Sequence, residues 1–376
     1  MVLLENFIDT ERKQILNTYK ELHELAEPSW KEEKTSLYVR QKLERAGFDV
    51  QTFQGHYGLI AEIKGESNEV IAIRADMDAL LQEIDGVVQA NHSCGHDGHS
   101  TMVLFTALAL AKIKHHHTIR IIFQPAEEKA EGALKMIEEG ALDNVKFLCG
   151  IHLRPAFEVA NGMAAPVILH GASSCIRGTI KGTPAHAARP EEGNNPIEAA
   201  ALLVQAFQKI RVQTDVPYSI KMTELHCGES SNLIPETARF TVDLRAKSNE
   251  AMKLLLEEAK QSIQAIEDRT ETVIVYQQDS YSPAAVKNEH AVKLAEEAIK
   301  SVLGEKCLVP MCDSPGAEDF HFYTLKRPDM VATMIGLGCG LEPGLHHPNM
   351  KFDITALLNG TKILTKLLLE ADNQTW

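Results

Sequence analysis

Several features that would restrict a protein to a special class are scarce or missing in this 376-residue sequence. No uninterrupted apolar run approaches the roughly 18 residues that a membrane span needs. The first thirteen residues do not combine a basic segment with a long apolar stretch, so we expect no signal peptide. Positive charge is also low, because 38 Lys and Arg face 52 Asp and Glu, a formal net charge of -14. This balance argues against nucleic acid as the main partner.

Cysteine usage points to the cellular compartment. The seven cysteines are odd in number and scattered over a long chain. This fits reduced thiols better than a disulfide framework, which would need paired cysteines. We therefore expect a cytoplasmic protein with no membrane or nucleic-acid partner.

The composition is that of an ordinary globular protein, with 44% hydrophobic and 24% charged residues. A chain of this length favours two domains. Periodicity predicts helices over 9–25, 31–46 and from Ser100 to about Lys114, and strands over 58–64, 70–75, 118–123, 145–150 and 330–336. Strands that alternate with helices predict a mainly parallel sheet covered on both faces. The run His115–His117 falls between a helix and a strand, where we expect a solvated turn.

The middle of the chain has a different rhythm. Strands are predicted over 172–182, 218–228, 236–246 and 271–277, and helices over 196–211 and 249–267. The order β-α-β-β-α-β is typical of a ferredoxin-like α+β domain. The predicted fold class is therefore α/β, with a catalytic domain in two parts, 1–170 and 284–376. The inserted domain covers 171–283.

Polar side chains follow the predicted parallel strands at the points where the strands end. Ligands of open α/β sheets bind beyond these carboxyl ends. Four separate segments deliver candidates to this rim, namely Asp76 and Asp78, Cys94 and His96, Glu127 and Glu128, and His152. Their convergence predicts a site with metal-ligand chemistry.

A binuclear hydrolase needs these residue types. Two divalent cations roughly 3.5–4 Å apart polarise a scissile carbonyl and stabilise the oxyanion. A carboxylate that is not a ligand must take the proton of the attacking water and pass it to the leaving amine. Glu127 and Glu128 could divide the work, one as the base and the other as a metal ligand. Their spacing alone leaves open which residue is the base.

Eight motifs occur in the order found in the aminoacylase-type metallopeptidases, which this sequence resembles over nearly its whole length. They are RADMDAL at 74–80, SCGHDGHS at 93–100, FQPAEE at 123–128, GIH at 150–152, AHAARP at 185–190, NLIP at 232–235, EDF at 318–320 and HHP at 346–348. The sequence is most similar to the branch of hippurate, indole-acetyl-amino-acid and N-acetyl-diaminopimelate amidohydrolases. The resemblance implies cleavage of the amide bond of an N-acyl amino acid.

The resemblance also implies roles for individual residues. The metal ligands would be Cys94, His96, Glu128, His152 and His346, holding two divalent ions. A thiolate that bridges both ions suits Mn, Zn, Co or Ni better than Mg or Ca. Glu127 would be the general base acting on a metal-activated water, and Asp78 would orient a ligand.

Other roles fall on the inserted domain. There, His186 and Asn232 would contact the substrate, with His186 helping to hold the oxygen of the tetrahedral intermediate. Arg189 could bind a substrate carboxylate. This domain would act as a lid and in dimerisation, so a homodimer or higher homo-oligomer is expected. Glu318 and Asp319 are expected near the site without an assigned role.

The sequence departs from the family pattern at Ala185, at His347 and over Leu81–Glu83. His346 and His347 are both candidate ligands, and we favour His346 because it holds the motif position. The alternative function in the same chemistry is a dipeptidase or aminopeptidase. A cysteine hydrolase with Cys94 as nucleophile would leave the other metal-binding residues without a purpose. A catalytically silent relative would lack a ligand or the base, and none is missing here.

Overall fold

The computed structural model describes residues 2–376, which divide into two compact units. The first unit comprises the described part of Met1–Leu169 together with Val286–Ser314 and Asp319–Trp376. The second comprises His170–Ala285 and Pro315–Glu318. Met1, with which the predicted first domain begins, lies outside the described residues.

Helices and strands alternate through much of the chain. Within residues 2–376 the helices are α1 (Val2–Thr10), α2 (Arg12–Glu24), α3 (Glu33–Arg45), α4 (His96–Leu110), α5 (Gly132–Glu138), α6 (Pro196–Lys209), α7 (Asn249–Thr270), α8 (Glu289–Leu303), α9 (His321–Lys326) and α10 (Ala356–Asp372). The strands of this part are β1 (Asp49–Thr52), β2 (Leu59–Ile63), β3 (Ser67–Asp76), β4 (Leu80–Ile84), β5 (Val87–Asn91), β6 (His117–Gln124), β7 (Val145–Pro155), β8 (Ala164–Ala165), β9 (Ile168–His170), β10 (Ala172–Lys181), β11 (Ala185–His186), β12 (Tyr218–Cys227), β13 (Leu233–Ile234), β14 (Thr237–Ala246), β15 (Val273–Ser282), β16 (Cys312–Ser314) and β17 (Val331–Leu341).

The first unit is built on a seven-stranded sheet with the order β1-β2-β6-β3-β7-β17-β8. The four strands at its centre, β6, β3, β7 and β17, are parallel, and the outer pairings are antiparallel. Every residue of β6 is buried, as are nearly all of β7. Strands buried along their whole length need cover on both faces. The predicted mainly parallel α/β sheet is therefore confirmed.

The second unit contains a four-stranded antiparallel sheet with the order β12-β14-β10-β15. Helices α6 and α7 pack with it in a separate hydrophobic core that includes Leu203, Leu255 and Phe240. Asn195 caps α6, because its side chain accepts the Ile197 N–H at 3.0 Å. The order β10-α6-β12-β14-α7-β15 is the predicted ferredoxin-like arrangement. Its use as a lid or a dimerisation domain remains a prediction.

Two predicted element boundaries differ at functionally relevant places. Helix α4 begins at His96 rather than near Ser100, since Gly95 takes a left-handed conformation, with φ of 87°, and precedes the first turn. His96 therefore lies on the helix and not in a loop before it. Strand β7 continues through His152 to Pro155, so that His152 lies within a strand.

The expectation of a solvated turn at His115–His117 is wrong. His115 and His117 are buried, and only His116 is exposed. Asp372, near the end of α10, accepts the N–H of His117 at 2.7 Å and contacts the His115 ring at 3.2 Å. The histidines thus tie the start of β6 to α10. Among the helices of residues 2–376, none combines the length and the apolar character that crossing a bilayer demands.

Candidate metal centre

The predicted ligands of the first unit converge at the carboxyl ends of its strands. One group joins Cys94, His96 and His152, whose potential ligand atoms all lie within 4.8 Å of one another. A second group, within the same limit, joins Cys94 with Glu128 and His346. The Cys94 thiol belongs to both groups. This arrangement matches two neighbouring metal positions that share one sulfur ligand.

The separations between these atoms suit a metal shell. Cys94 Sγ lies 3.7 Å from His152 Nε2, and His346 Nε2 lies 3.5 Å from Glu128 Oε1. His96 Nε2 is 3.9 Å from the same Glu128 oxygen. Ligand atoms about 2.0–2.3 Å from a tetrahedral ion stand roughly 3.3–3.7 Å apart. The residues are therefore close to the spacing that such an ion requires.

Hydrogen bonds fix the ring of His96 in a metal-binding tautomer. Its Nδ1 donates to the backbone carbonyl oxygen of Asp78 at 2.9 Å, with Asp78 Oδ1 at 3.3 Å. The Nε2 atom then carries the lone pair, and it is buried without a hydrogen-bond partner. Glu128 Oε1 is also buried without one. Buried polar atoms without partners are rare, and a cation between them would account for both.

The pKa shifts of the candidate ligands also support a bound cation. Burial, reinforced by the Glu128 carboxylate, holds the pKa of Cys94 well above its usual value. Burial also raises the pKa of Glu128 to about 7, helped by Asp78. Burial opposes protonation of His96, but Asp76, Cys94 and Asp78 outweigh it and hold its pKa well above the ordinary value. A bound cation would displace these protons, since ligands bind in their deprotonated forms. The sulfur, nitrogen and carboxylate donor set fits a transition-metal ion.

The turn that carries Glu127 and Glu128 is held by Asp78. The N–H groups of Glu127 and Glu128 donate to Asp78 Oδ1 and Oδ2, each at 3.1 Å. Glu127 Oε1 accepts the backbone N–H of Asp319 at 3.4 Å. Glu127 and Glu128 share one group with His96, but only Glu128 also belongs to a group that contains Cys94. The two adjacent carboxylates thus differ in their relation to the Cys94 thiol.

His346, and not His347, faces the other candidate ligands. His346 has a left-handed backbone with φ of 63°, and its N–H donates to Ser93 O at 2.8 Å. The side chain of Gln82 donates to the His346 carbonyl oxygen at 2.7 Å. By contrast, the exposed His347 ring accepts the N–H of Asn349 at 3.1 Å. The geometry therefore agrees with the motif position.

His99 also lies near the site, but its ring is fully used elsewhere. Its Nε2 accepts the Leu153 N–H at 3.0 Å, and its Nδ1 donates to Asp76 Oδ1 at 2.8 Å. With both nitrogens engaged, His99 has no lone pair left for a metal. Asp76 and His99 brace the strand ends instead.

A buried network behind the site was not predicted from the sequence. Arg74 donates to Asp76 at 2.7 Å, to Asp319 at 2.7 Å and to Gln124 at 2.8 Å. Asp319 also accepts from the Gln124 amide and from the Ala133 N–H. An arginine at the end of an apolar strand was the available signal, because a buried guanidinium requires carboxylate partners. Asp319 therefore braces the strand ends and presents its N–H to Glu127.

The three candidates on the inserted domain lie together within the second unit. His186, on β11, pairs with Leu233 of β13, and Asn232 O accepts the Ala187 N–H at 3.0 Å. Arg189 N–H donates to His186 O at 2.8 Å. The side chains of His186, Arg189 and Asn232 are all exposed. These three residues thus lie on two short, solvent-exposed segments that hydrogen-bond to each other.

Comparison with known proteins identifies the family. The family model of Peptidase family M20/M25/M40 matches residues 72–370. The chain is 31% identical to the N-acetylcysteine deacetylase of Bacillus subtilis (strain 168), over 94% of this chain and 96% of that protein. It is also 31% identical to the hippurate hydrolase of Campylobacter jejuni subsp. jejuni, over 81% of this chain and 83% of that protein.

A solved structure gives the same result. The Bacillus subtilis YXEP protein, described as a dinuclear metal-binding peptidase from the M20 family, superposes with a TM-score of 0.81 at 28% identity. The match covers 96% of this chain and 99% of that one. The chain belongs to Peptidase family M20/M25/M40. It is a hydrolase that acts on amide bonds.

Proposed function

We propose that this protein is a metal-dependent amidohydrolase that releases the amino acid from an N-acyl amino acid. The observation that carries the proposal is the position of Cys94 in two groups of metal-ligating atoms, with the Glu127 carboxylate outside both. A shared thiol, buried imidazoles and a second carboxylate beside the ligands are the parts that binuclear amide hydrolysis needs. The names of the two curated relatives support an N-acyl amino acid as the substrate class.

Five residues would hold the ions. These are Cys94, His96, Glu128, His152 and His346, as the resemblance implies. Two divalent ions, with Mn or Zn proposed first, would polarise the scissile carbonyl and lower the pKa of the attacking water. The unpartnered atoms His96 Nε2 and Glu128 Oε1 support this ligand set.

Glu127 would move the proton. Its carboxylate takes the proton from the attacking water and delivers it to the leaving nitrogen, as a general base and then a general acid. The Asp319 N–H at 3.4 Å from Glu127 Oε1 orients the group without neutralising it. Asp78 holds both the His96 ring and the backbone of the turn, so it positions a ligand and the base together.

Substrate contacts would come from the second unit. An N-acyl amino acid carries a carboxylate, and the exposed guanidinium of Arg189 can bind it in a bidentate manner. His186 and Asn232 would hydrogen-bond to the oxygen of the scissile group. The second unit would serve as a lid and in forming a homodimer, and the enzyme would work in the cytoplasm.

Hydrolysis of a panel of N-acyl amino acids and dipeptides tests this function. The purified protein is assayed as isolated, after chelation, and after restoring Mn, Zn, Co or Ni. We expect cleavage of N-acyl amino acids that disappears on chelation and returns with metal. Preferential cleavage of dipeptides would instead favour the peptidase alternative. Activity that survives chelation but not thiol alkylation would favour a cysteine hydrolase, and no activity in metal-loaded protein would contradict the proposal.

A further inference from the structure

The turn that carries the two glutamates has an unusual backbone. We call residues 125–128, which follow strand β6, the glutamate turn. Ala126 in this turn is not glycine, yet it has a left-handed conformation with φ of 51°. Such a conformation costs free energy for a residue with a Cβ and persists only where the surroundings hold it. Asp78 holds the N–H groups of Glu127 and Glu128, which leaves the question of what holds Ala126.

Glu32 supplies that contact. We call residues 27–32, just before α3, the bracing segment. Glu32 is fully buried, and its Oε1 accepts the Ala126 N–H at 2.8 Å and the Trp30 N–H at 2.9 Å. Trp30 is also left-handed, with φ of 67°. A single carboxylate oxygen therefore bridges two non-glycine residues in the same strained conformation.

Two further contacts tie the bracing segment to the glutamate turn. Ser29 Oγ donates to Asp78 Oδ2 at 2.6 Å, and Asp78 in turn holds the N–H groups of the two glutamates. Trp30 Nε1 donates to Glu131 Oε2 at 3.0 Å, just beyond the turn. Consecutive N–H groups of residues 126, 127 and 128 are thus held by two carboxylates. One of these carboxylates, that of Glu32, belongs to the bracing segment, and the other, that of Asp78, accepts a hydrogen bond from Ser29 of the same segment.

The cost of burying Glu32 suggests a role beyond stability. Its second oxygen, Oε2, is buried without a hydrogen-bond partner, and no ion pair to Glu32 occurs within the described part of the chain. Burial raises the pKa of Glu32 to about 7. A buried carboxyl group without a cation is expensive to keep. Its hydrogen bonds serve the backbone that aims Glu127 and Glu128.

We propose that Glu32 is a positioning residue for this amidohydrolase, acting through the Ala126 N–H to set the direction of Glu127 and Glu128. The inference rests on the proposed roles of those two glutamates. Glu32 is fully buried, and its hydrogen bonds go to backbone N–H groups and not to the proposed ligand atoms. Its effect reaches the site through the backbone of the glutamate turn, as partners beyond the ligands commonly act on metal sites.

Glu27 offers a matched control in the same segment. Its carboxylate accepts the N–H groups of Lys34 and Thr35, at 2.9 Å and 3.0 Å, and the Thr35 hydroxyl at 3.1 Å. These bonds hold the start of α3 and have no contact with the glutamate turn. Glu27→Ala should therefore lower the melting temperature while leaving the metal site intact. Glu32→Gln keeps an acceptor oxygen of the same reach and serves as the conservative variant.

The test measures Mn²⁺ affinity by titrating chelated protein, together with kcat, KM and the melting temperature of each variant. We expect Glu32→Ala to weaken Mn²⁺ binding about 10-fold or more and to lower kcat by a similar factor with little change in KM. Glu32→Gln should restore most of both. Should Glu32→Ala fail to fold, Glu32→Asp, which draws the oxygen back from Ala126, should show the same losses.

Two results would overturn the proposal. One is wild-type Mn²⁺ affinity and kcat in folded Glu32→Ala or Glu32→Asp. The other is an equal loss of Mn²⁺ affinity in Glu27→Ala, which would reveal a general effect of stability. Mn²⁺ affinity is measured without substrate. If the wild-type protein bound Mn²⁺ but cleaved no amide, the proposed function would fail while the role of Glu32 was still decided.

Discussion

The two sets of candidate functional residues differ in how firmly the chain holds them. In the first unit, His96 and His152 are 0% and 4% exposed, and each ring is fixed by a hydrogen bond to a backbone carbonyl oxygen. In the second unit, the Arg189 side chain is 68% exposed and has one ion-pair contact, with Glu192 at 3.6 Å. His186 lies on a strand of only two residues. His96 and His152 are thus buried and fixed by hydrogen bonds, whereas Arg189 is exposed and His186 lies on a very short strand.

This difference has a physical reason. A metal site works only when several donors reach one point within a fraction of an ångström, so its ligands need rigid supports. Groups that contact a substrate can order when the substrate binds, at an entropic cost. We therefore expect substitutions in the first set to change metal binding or chemistry. Substitutions in the second set should change substrate binding and leave the metal in place.

The largest effect is expected for Glu127→Gln. The amide cannot accept the proton of water, so kcat should fall about 10²- to 10⁴-fold while the metal content stays near that of the wild-type protein. Glu128→Gln is the matched comparison, because this variant should lose metal as well as activity. Rates and metal content measured on both variants decide the assignment. The reverse pattern would exchange the roles of the two glutamates.

A smaller effect is expected for Arg189→Ala. Loss of a charge-assisted hydrogen bond to the substrate carboxylate should raise KM about 10- to 100-fold without loss of metal. Glu192→Ala is the control, since it removes the ion-pair partner and leaves the guanidinium free. Steady-state kinetics with an N-acyl amino acid and with its carboxamide separate the carboxylate contribution. An equal KM for wild-type and variant protein would remove Arg189 from the substrate site.

The smallest effect is expected for Gln82→Ala, which probes His346, the most exposed of the proposed ligands in the first unit. Gln82 holds the carbonyl oxygen of His346, whose side chain is 55% exposed. Without it, the left-handed loop at His346 should loosen and the affinity for one ion should fall, by about 10-fold at most. Metal titration checks this. Unchanged affinity would show that the Ser93 carbonyl alone holds the loop.

Much of the first unit could be predicted from local sequence patterns. Apolar runs between helices predicted its parallel strands, and the polar residues that follow them converge on the site as expected. The start of α4 was missed because the left-handed Gly95 lets the helix begin four residues early, at His96. That conformation leaves no mark in hydrophobic periodicity.

Long-range partners explain the remaining differences. His115 and His117 are buried against Asp372, which is 257 and 255 residues away. Arg74 meets Asp319 across 245 residues. A single sequence shows which residues are polar but not which distant group will satisfy them. The positioning of Ala126 by Glu32, across 94 residues, could not be predicted for the same reason.

Metal content of the wild-type protein and of Cys94→Ala tests the central claim most directly. The purified proteins are loaded with Mn²⁺ or Zn²⁺, freed of excess ions, and analysed by elemental mass spectrometry, with Cys149→Ala as the buried-cysteine control. We predict two ions per chain in the wild-type protein and in the control. We predict fewer in Cys94→Ala, because the thiol that this variant lacks belongs to both groups of ligand atoms. Two ions per chain in Cys94→Ala would contradict the account.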